Sequence, residues 1–262
     1  MHPHPGLRLF RPREKLPPVL GTLVAAVRSV ATYLALLAYI AVVAPVALVL
    51  GTVFRSKASM YVLGHGGVGL GLGVAGIRYR VSGHQPPVET PVVFCSNHES
   101  NVDPAVLFLA LHPRLHVLYK AELHTFPLMG TVFDVGGFVP VDRRDRRRSF
   151  EALERGAASL RAGNSFLIFP EGTRSRTGQL LPFKKGGFIM AIQAQVPIVP
   201  VAISGGRASM RKGSAIVRPV RVSVRLGAPI PTAGLTLDDR DALIERARTS
   251  VERLLEEGPT WT

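Results

Sequence analysis

The chain has 262 residues, is 47% hydrophobic and carries a formal net charge of +14. That length suits one large α/β domain plus an accessory segment, and that charge requires an anionic partner: nucleic acid, a membrane surface or a phosphorylated substrate. The single cysteine, Cys95, excludes an intrachain disulfide and a cysteine-based metal site, and aromatics at 7% with no stacking cluster argue against single-strand nucleic-acid binding.

Residues 1–18 hold Arg8, Arg11, Arg13 and Lys15 among five prolines and read as a basic disordered arm. Such an arm can rest on anionic lipid headgroups, at about 1 kcal/mol per basic residue near the surface. A merely solvated tail fits equally well.

From Val19 to Phe54 the sequence is apolar and broken only by Arg28. Ser29 to Phe54 as one helix would be about 39 Å long, against a hydrocarbon core of about 30 Å. A spanning helix is the default. Two features favour a half-inserted hairpin instead. Pro45 is expected to break or kink the helix. Basic residues flank both ends, the arm on one side and Arg55 and Lys57 on the other, so a single span puts one cluster on the wrong side. Residues 19–76 are therefore expected to form a membrane-associated two-helix segment, monotopic or single-span, on the cytoplasmic face. Within it, Gly71 to Gly76 matches G-x-G-x-x-G, but a strand pattern follows where a dinucleotide site needs a helix, so the match is read as chance. Small residues here let a second helix pack closely on the first.

Residues 77–262 read as the α/β domain. Strand patterns fall at 77–81, 92–96, 116–119, 138–141, 165–169, 198–203 and 220–226. Helical patterns fall at about 103–111, 122–129, 147–162, 186–195 and 238–257. Phe150, Leu153, Ala157 and Leu160 mark one helical face, closed by Gly163. Alternation of strand and helix predicts a mixed or mostly parallel sheet flanked by helices, with an apolar N-terminal helical membrane anchor.

The chemistry-bearing residues cluster where strands end. His98 and Asp103 follow the apolar run Val92–Cys95, a spacing that lets a carboxylate orient an imidazole as a general base. Asp103-Pro104 is also a good helix start, with Asp as N-cap. Lys120 follows the strand at 116–119. Asp142-Arg143 ends the next strand. Glu171-Gly172-Thr173-Arg174 follows Phe166–Phe169. There Arg174 offers a planar fork suited to phosphate, Glu171 can hold that fork, and Gly172 permits close backbone approach. Lys184-Lys185 precede a helix start, a combination that suits an anion. Val196 to Val201 forms either an apolar wall or a core strand. Cys95 reads as buried filler.

Asn97-His98 with Asp103, Gly137 to Arg143, Glu171 to Arg174, and Val196 to Val201 resemble, in order and spacing, the four motif blocks of glycerolipid acyltransferases. The likeness spans roughly residues 77–230 and is nearest the branch that acylates 1-acylglycerol-3-phosphate. It implies that His98 and Asp103 are catalytic and that Asn97, Lys120, Arg143, Glu171, Gly172, Thr173 and Arg174 bind substrate, largely through the acceptor's phosphate. It implies an acyl-CoA or acyl carrier protein thioester as donor, a lysophospholipid as acceptor and phosphatidic acid as product. An anionic membrane surface is a partner; no bound cofactor, metal or nucleic acid is expected. Pro140 departs from the pattern, standing where the family has a bulky apolar residue. Two other readings stay open: another lysophospholipid or glycerol-3-phosphate acyltransferase, and a non-catalytic basic membrane-surface binding protein.

Overall fold

The structure, a computed structural model, describes residues 18–125, 129–142, 145–175, 177–210 and 213–261. The basic residues Arg8, Arg11, Arg13 and Lys15 and the site candidate Arg143 lie outside the described residues.

The chain enters through helix α1 (Pro18–Thr52), which continues unbroken past Pro45. The expected break there does not occur. Proline's fixed φ suits a helix, and the apolar sequence that continues beyond it outweighs one lost hydrogen bond. The reversal comes instead after Thr52. Arg55 takes a left-handed φ of 51°, and Ser56 N donates to Leu50 O at 2.9 Å. Helix α2 (Lys57–Ala75) then returns along α1. Its glycines make that approach possible. A Cβ on Gly67 would stand 2.8 Å from the Tyr39 ring, and one on Gly71 3.0 Å from Leu36. Tyr39 also donates its hydroxyl to Leu63 O at 2.7 Å. Gly71 to Gly76 thus closes a helix, Gly76 being its left-handed cap at φ 71°. Both helices are long and apolar enough to cross a membrane by length and composition, and α1 is a candidate membrane anchor.

Seven strands follow: β1 (Arg78–Gly83), β2 (Val93–Ser96), β3 (Leu115–Lys120), β4 (Val139–Val141), β5 (Ser165–Ile168), β6 (Ile198–Ser204) and β7 (Arg221–Leu226). They form one sheet in the order β1-β7-β6-β2-β5-β3-β4. Only β6 and β7 pair antiparallel; the other neighbours are parallel. The sheet is mixed and mostly parallel, as the alternation of elements predicts. Helices α3 (Asp103–Ala110), α4 (Met129–Gly136), α5 (Arg146–Arg161), α6 (Gly186–Ala194) and α7 (Arg240–Glu256) flank it. The helix expected over 122–129 is instead a 3-10 turn, Ala121–Thr125, with α4 starting later at Met129. Pro127 in the intervening sequence cannot continue a helical ladder.

Strand alternation divides the core into two layers. Val93, Cys95, Phe166, Ile168 and Ile198 pack on α5, α6 and α7. Phe94, Leu167, Val199 and Val201 point the other way, onto α2 and α3. Phe150, in the first turn of α5, does not join the buried stripe of that helix and stays exposed. Gly163 ends α5 as expected. Its N–H donates to Leu160 O, and Asn164 N donates to Ser159 O, the paired bonds of a Schellman turn.

Because β2, β3, β5 and β6 run parallel, their carboxyl ends open on one edge of the sheet. The loops after β2, β3 and β5 carry His98, Ala121 onward and Glu171 to Arg174. Open α/β sheets place ligand sites along this edge.

Candidate active site

His98 leaves the end of β2, and α3 begins five residues later at Asp103. His98 Nδ1 donates to Asp103 Oδ2 at 2.9 Å. The same oxygen accepts Glu99 N and Ser100 N, each at 2.7 Å. Three donors on one fully buried carboxylate oxygen fix its position. The pairing sets the histidine tautomer: Nδ1 carries the hydrogen and Nε2 keeps its lone pair. Asp103 does not cap α3. The cap position is Val102, which makes no side-chain capping bond, and the Asp103 carboxylate turns back onto the loop. The other oxygen, Oδ1, has no hydrogen-bond partner among the described residues. It lies against Gly206, where a Cβ would come within 2.6 Å.

The loop after β5 grips the loop after β2. Glu171 is buried, and its Oε1 accepts His98 N at 2.8 Å while Oε2 accepts Leu181 N at 3.0 Å. Ser175 N donates to His98 O at 2.8 Å. Burial pushes the Glu171 carboxyl above its usual range despite these bonds. The His98 ring stacks on Phe169 with centroids 4.3 Å apart. The expectation that Glu171 holds the Arg174 fork is not met, because backbone amides occupy its carboxylate. Arg174 is left with a buried Nη1 that lacks a partner among the described residues.

Gly172 takes a left-handed φ of 68°. Its N–H donates to Phe169 O at 3.0 Å, so this amide is turned away from any developing oxyanion. The Lys184 ammonium packs over it; a Cβ on Gly172 would stand 2.7 Å from Nζ. Lys184 was not among the residues expected to bind substrate, although the basic stretch before α6 was the signal for it.

A cavity of about 960 Å³ lies beside these groups. His98, Thr173, Arg174, Lys120 and Lys184 stand on its wall, and its apolar part is lined by Phe108, Val117, Phe133, Phe138 and Leu153. Lys120 is exposed at the end of β3, 3.0 Å from Glu122 Oε1. The lining therefore includes an imidazole and three cations, and its apolar remainder suits a hydrocarbon chain.

Other candidates fall outside this cavity. Asn97 commits both ends of its amide to β6: Nδ2 donates to Ile203 O at 2.9 Å, and Oδ1 accepts Ile203 N at 2.8 Å. It braces the strand end beneath His98 rather than lining the cavity. Val196 to Val201 enters β6 as a core strand, not as a cavity wall. Cys95 is fully buried, and burial pushes its thiol pKa up, which suits packing rather than nucleophilic attack. A residue the sequence did not single out is Glu99. Its Oε1 accepts Arg207 N at 3.2 Å and holds the turn at Gly206 over Asp103. Burial, then the nearby Asp103 carboxylate, pushes the Glu99 carboxyl up. Among the described residues, no group of three or more His, Cys, Asp or Glu side chains could hold a metal ion.

Residues 78–204 match the family model described as Acyltransferase. The chain is similar to 1-acyl-sn-glycerol-3-phosphate acyltransferase of Limnanthes douglasii, 34% identical over 179 residues, 68% of this chain and 63% of that protein. It is similar to human 1-acyl-sn-glycerol-3-phosphate acyltransferase alpha, 36% identical over 178 residues, 67% of this chain and 63% of that protein. The chain thus spans somewhat under two thirds of these relatives. Its fold is that of the 1-acyl-sn-glycerophosphate (LPA) acyltransferase PlsC from Thermotoga maritima, with a TM-score of 0.76, 22% identity, and 90% of this chain and 96% of that one covered.

Proposed function

The chain belongs to the Acyltransferase family, and we propose from that premise that it moves an acyl group from a thioester to the free hydroxyl of 1-acylglycerol-3-phosphate, giving phosphatidic acid. The observation that carries this reading is the His98–Asp103 pair on the wall of a cavity that is cationic at one part and apolar elsewhere.

His98 Nε2 takes the proton of the acceptor hydroxyl as that oxygen attacks the thioester carbonyl. Asp103 holds the ring and balances the imidazolium that forms. The tetrahedral intermediate collapses, the C–S bond breaks, and His98 returns the proton to the leaving thiolate. No step needs a metal. Arg174, whose buried Nη1 has no partner among the described residues, binds the acceptor's phosphate together with Lys184 and Lys120 of the same cavity. Thr173 contacts the same end of the substrate. Glu171 and Asn97 act from behind, by fixing the two loops. The positive charge of that wall also favours the developing oxyanion. Acyl-CoA and acyl carrier protein thioesters are both anionic donors that this wall admits. Residues 19–76 rest half-inserted in the cytoplasmic leaflet, which brings a lipid acceptor to His98.

The test is transfer of labelled acyl groups by the purified protein in detergent, with both donor types and a panel of acceptors. Turnover with 1-acylglycerol-3-phosphate that depends on His98 is the expected result. Preference for glycerol-3-phosphate or a lysophospholipid with another headgroup would reassign the acceptor. No transfer to any acceptor would leave a membrane-surface binding protein.

A further inference from the structure

A second apolar cavity, of about 480 Å³, runs between α1, α2 and the start of α3. We propose that it holds the acyl chain already attached to the acceptor, leaving the larger cavity for the chain being transferred. The proposal rests on the acyl-transfer reading above and extends it to how two chains are kept apart.

Three observations lead to this assignment. First, apart from Asn101 at its edge, the cavity wall offers its contents no unsatisfied polar side chain. Tyr39 donates its hydroxyl to Leu63 O, Tyr33 donates to Ala215 O and Thr32 donates to Arg28 O, so the hydroxyls on its wall are already satisfied. Its remaining walls, Leu36, Ile40, Val43 and Ala44 among them, are hydrocarbon. Such a space takes an alkyl chain and not a headgroup.

Second, it shares a wall with the catalytic cavity, so that one layer of residues lies between them. Met60, Gly64, Val68, Asn101 and Ala105 line both. Asn101 stands three residues after His98 at the junction and is held there by a bond from Nδ2 to Met210 Sδ at 3.3 Å. Gly64 adds no side chain to this shared wall, and a Cβ there would meet nothing nearer than Phe108 at 3.8 Å. An acceptor whose phosphate lies near Arg174 and whose hydroxyl lies near His98 can pass its chain behind Asn101.

Third, the cavity opens to the surface beside α1, where Tyr33 and Ile40 of its own wall are exposed. The inward face of α1 lines it, and the outward face exposes Val30, Leu34 and Leu37. A chain drawn from a bilayer edge reaches the cavity without passing the cationic wall. The donor carries its chain from water and enters by that wall.

Ala44→Phe places a ring in the second cavity at a residue that does not line the first. With the donor held constant, the expected result is a KM for stearoyl-glycerol-3-phosphate raised by at least about tenfold. The KM for hexanoyl-glycerol-3-phosphate should be little changed, and the preference among donor chain lengths unmoved. A shifted donor preference, or equal effects on both acceptors, would overturn the assignment. A second experiment needs neither turnover nor a variant. Lysophosphatidate with a diazirine at the end of its chain is crosslinked to the wild-type protein, with a diacyl phosphatidylcholine bearing the same group as the bulk-lipid control. Labels at Leu36, Ile40 or Gly67 that unlabelled lysophosphatidate removes, and that the control does not place, are expected. Competed labels confined to Val117 and Leu153 would overturn it. If crosslinking succeeds and no acceptor is acylated, the reaction is misassigned while the binding cavity stands.

Discussion

The Glu171 carboxylate accepts the backbone N–H of His98 at 2.8 Å and, through its other oxygen, that of Leu181 at 3.0 Å. One side chain from the loop after β5 thus sets the height of His98, the proposed base, on the loop after β2. Glu171→Gln keeps the size but can accept only one of these two donors; its amide nitrogen must face the other. An unsatisfied buried amide costs about 1–3 kcal/mol. The expected outcome is a lower melting temperature and a lower kcat, with KM for donor and acceptor nearly unchanged. A selective rise in the acceptor KM would show instead that Glu171 touches substrate.

His98→Ala removes the base and should lower kcat by at least about 100-fold, the smaller end of what a positioned general base supplies. Asp103→Asn is the sharper probe. Its Oδ2 accepts from His98, Glu99 and Ser100, and an amide replaces either that acceptor or the unpaired Oδ1. Since the side chain makes no cap bond to α3, helix content by circular dichroism should hold while most activity disappears. Normal turnover would reduce Asp103 to a structural residue.

Arg174→Lys keeps the charge and loses the fork. Its Nη1 is buried without a partner among the described residues, and a phosphate oxygen would satisfy it. The KM for the phosphorylated acceptor should rise more than that for the thioester. Equal effects on the two substrates would assign Arg174 to the fold.

The central strands β2, β5 and β6 were legible as short buried apolar runs bounded by turns, and β1 by its alternating residues. The pairing of His98 with Asp103 was legible because the two residues lie close in sequence. What escaped depends on residues far apart in the chain. Whether Glu171 faces Arg174 or the His98 amide is decided by how the loops after β2 and β5 meet, and no local pattern records that. Lys184 reaches the site only because the segment before α6 folds back over Gly172. Asn97 looked like a substrate contact because it precedes His98, but its side chain is spent on Ile203. Pro45 misled for a different reason: a proline argues against a helix locally, and the long apolar helix on both sides outweighed it.

His116 is buried beside Tyr61, Phe138 and Phe166. Burial first, then the positive charge of Lys57, His112 and Arg114, lowers its pKa from 6.5 to about 4. The folded protein therefore holds His116 neutral while the unfolded chain protonates it. This contributes stability that is present above pH 6.5 and is lost as the pH falls to about 4. The full effect is about 3 kcal/mol. His116→Phe removes the titration. Urea unfolding in detergent from pH 7 to pH 4 should show wild type losing more stability than the variant. Parallel curves would place the acid sensitivity elsewhere.

Helix α1 is 35 residues long, roughly 50 Å at 1.5 Å per residue, which exceeds what a perpendicular span requires. It is also tied to the α/β domain at two places, within its first half and at its C-terminal end. Ser29 Oγ accepts Val217 N at 2.8 Å, and Tyr33 donates its hydroxyl to Ala215 O at 2.6 Å. At the far end a Cβ on Gly51 would meet Val135 of α4 at 2.8 Å. A helix that lies along the domain cannot also leave it to cross a bilayer. Its outward residues Val19, Leu23, Val27, Val30, Leu34 and Leu37 recur at helical spacing on one exposed face. These contacts favour an anchor that lies in one leaflet. Single cysteines at Leu23, Leu34 and Val46 in a Cys95→Ala background, carrying spin labels, should report similar shallow depths in bilayers. Cysteines at Val53 and Glu256 should react with an impermeant maleimide from the same side of oriented vesicles or, for Val53, not at all. A depth profile that passes through the bilayer centre, or labelling of Val53 from the side opposite Glu256, would establish a span and refute the one-leaflet anchor.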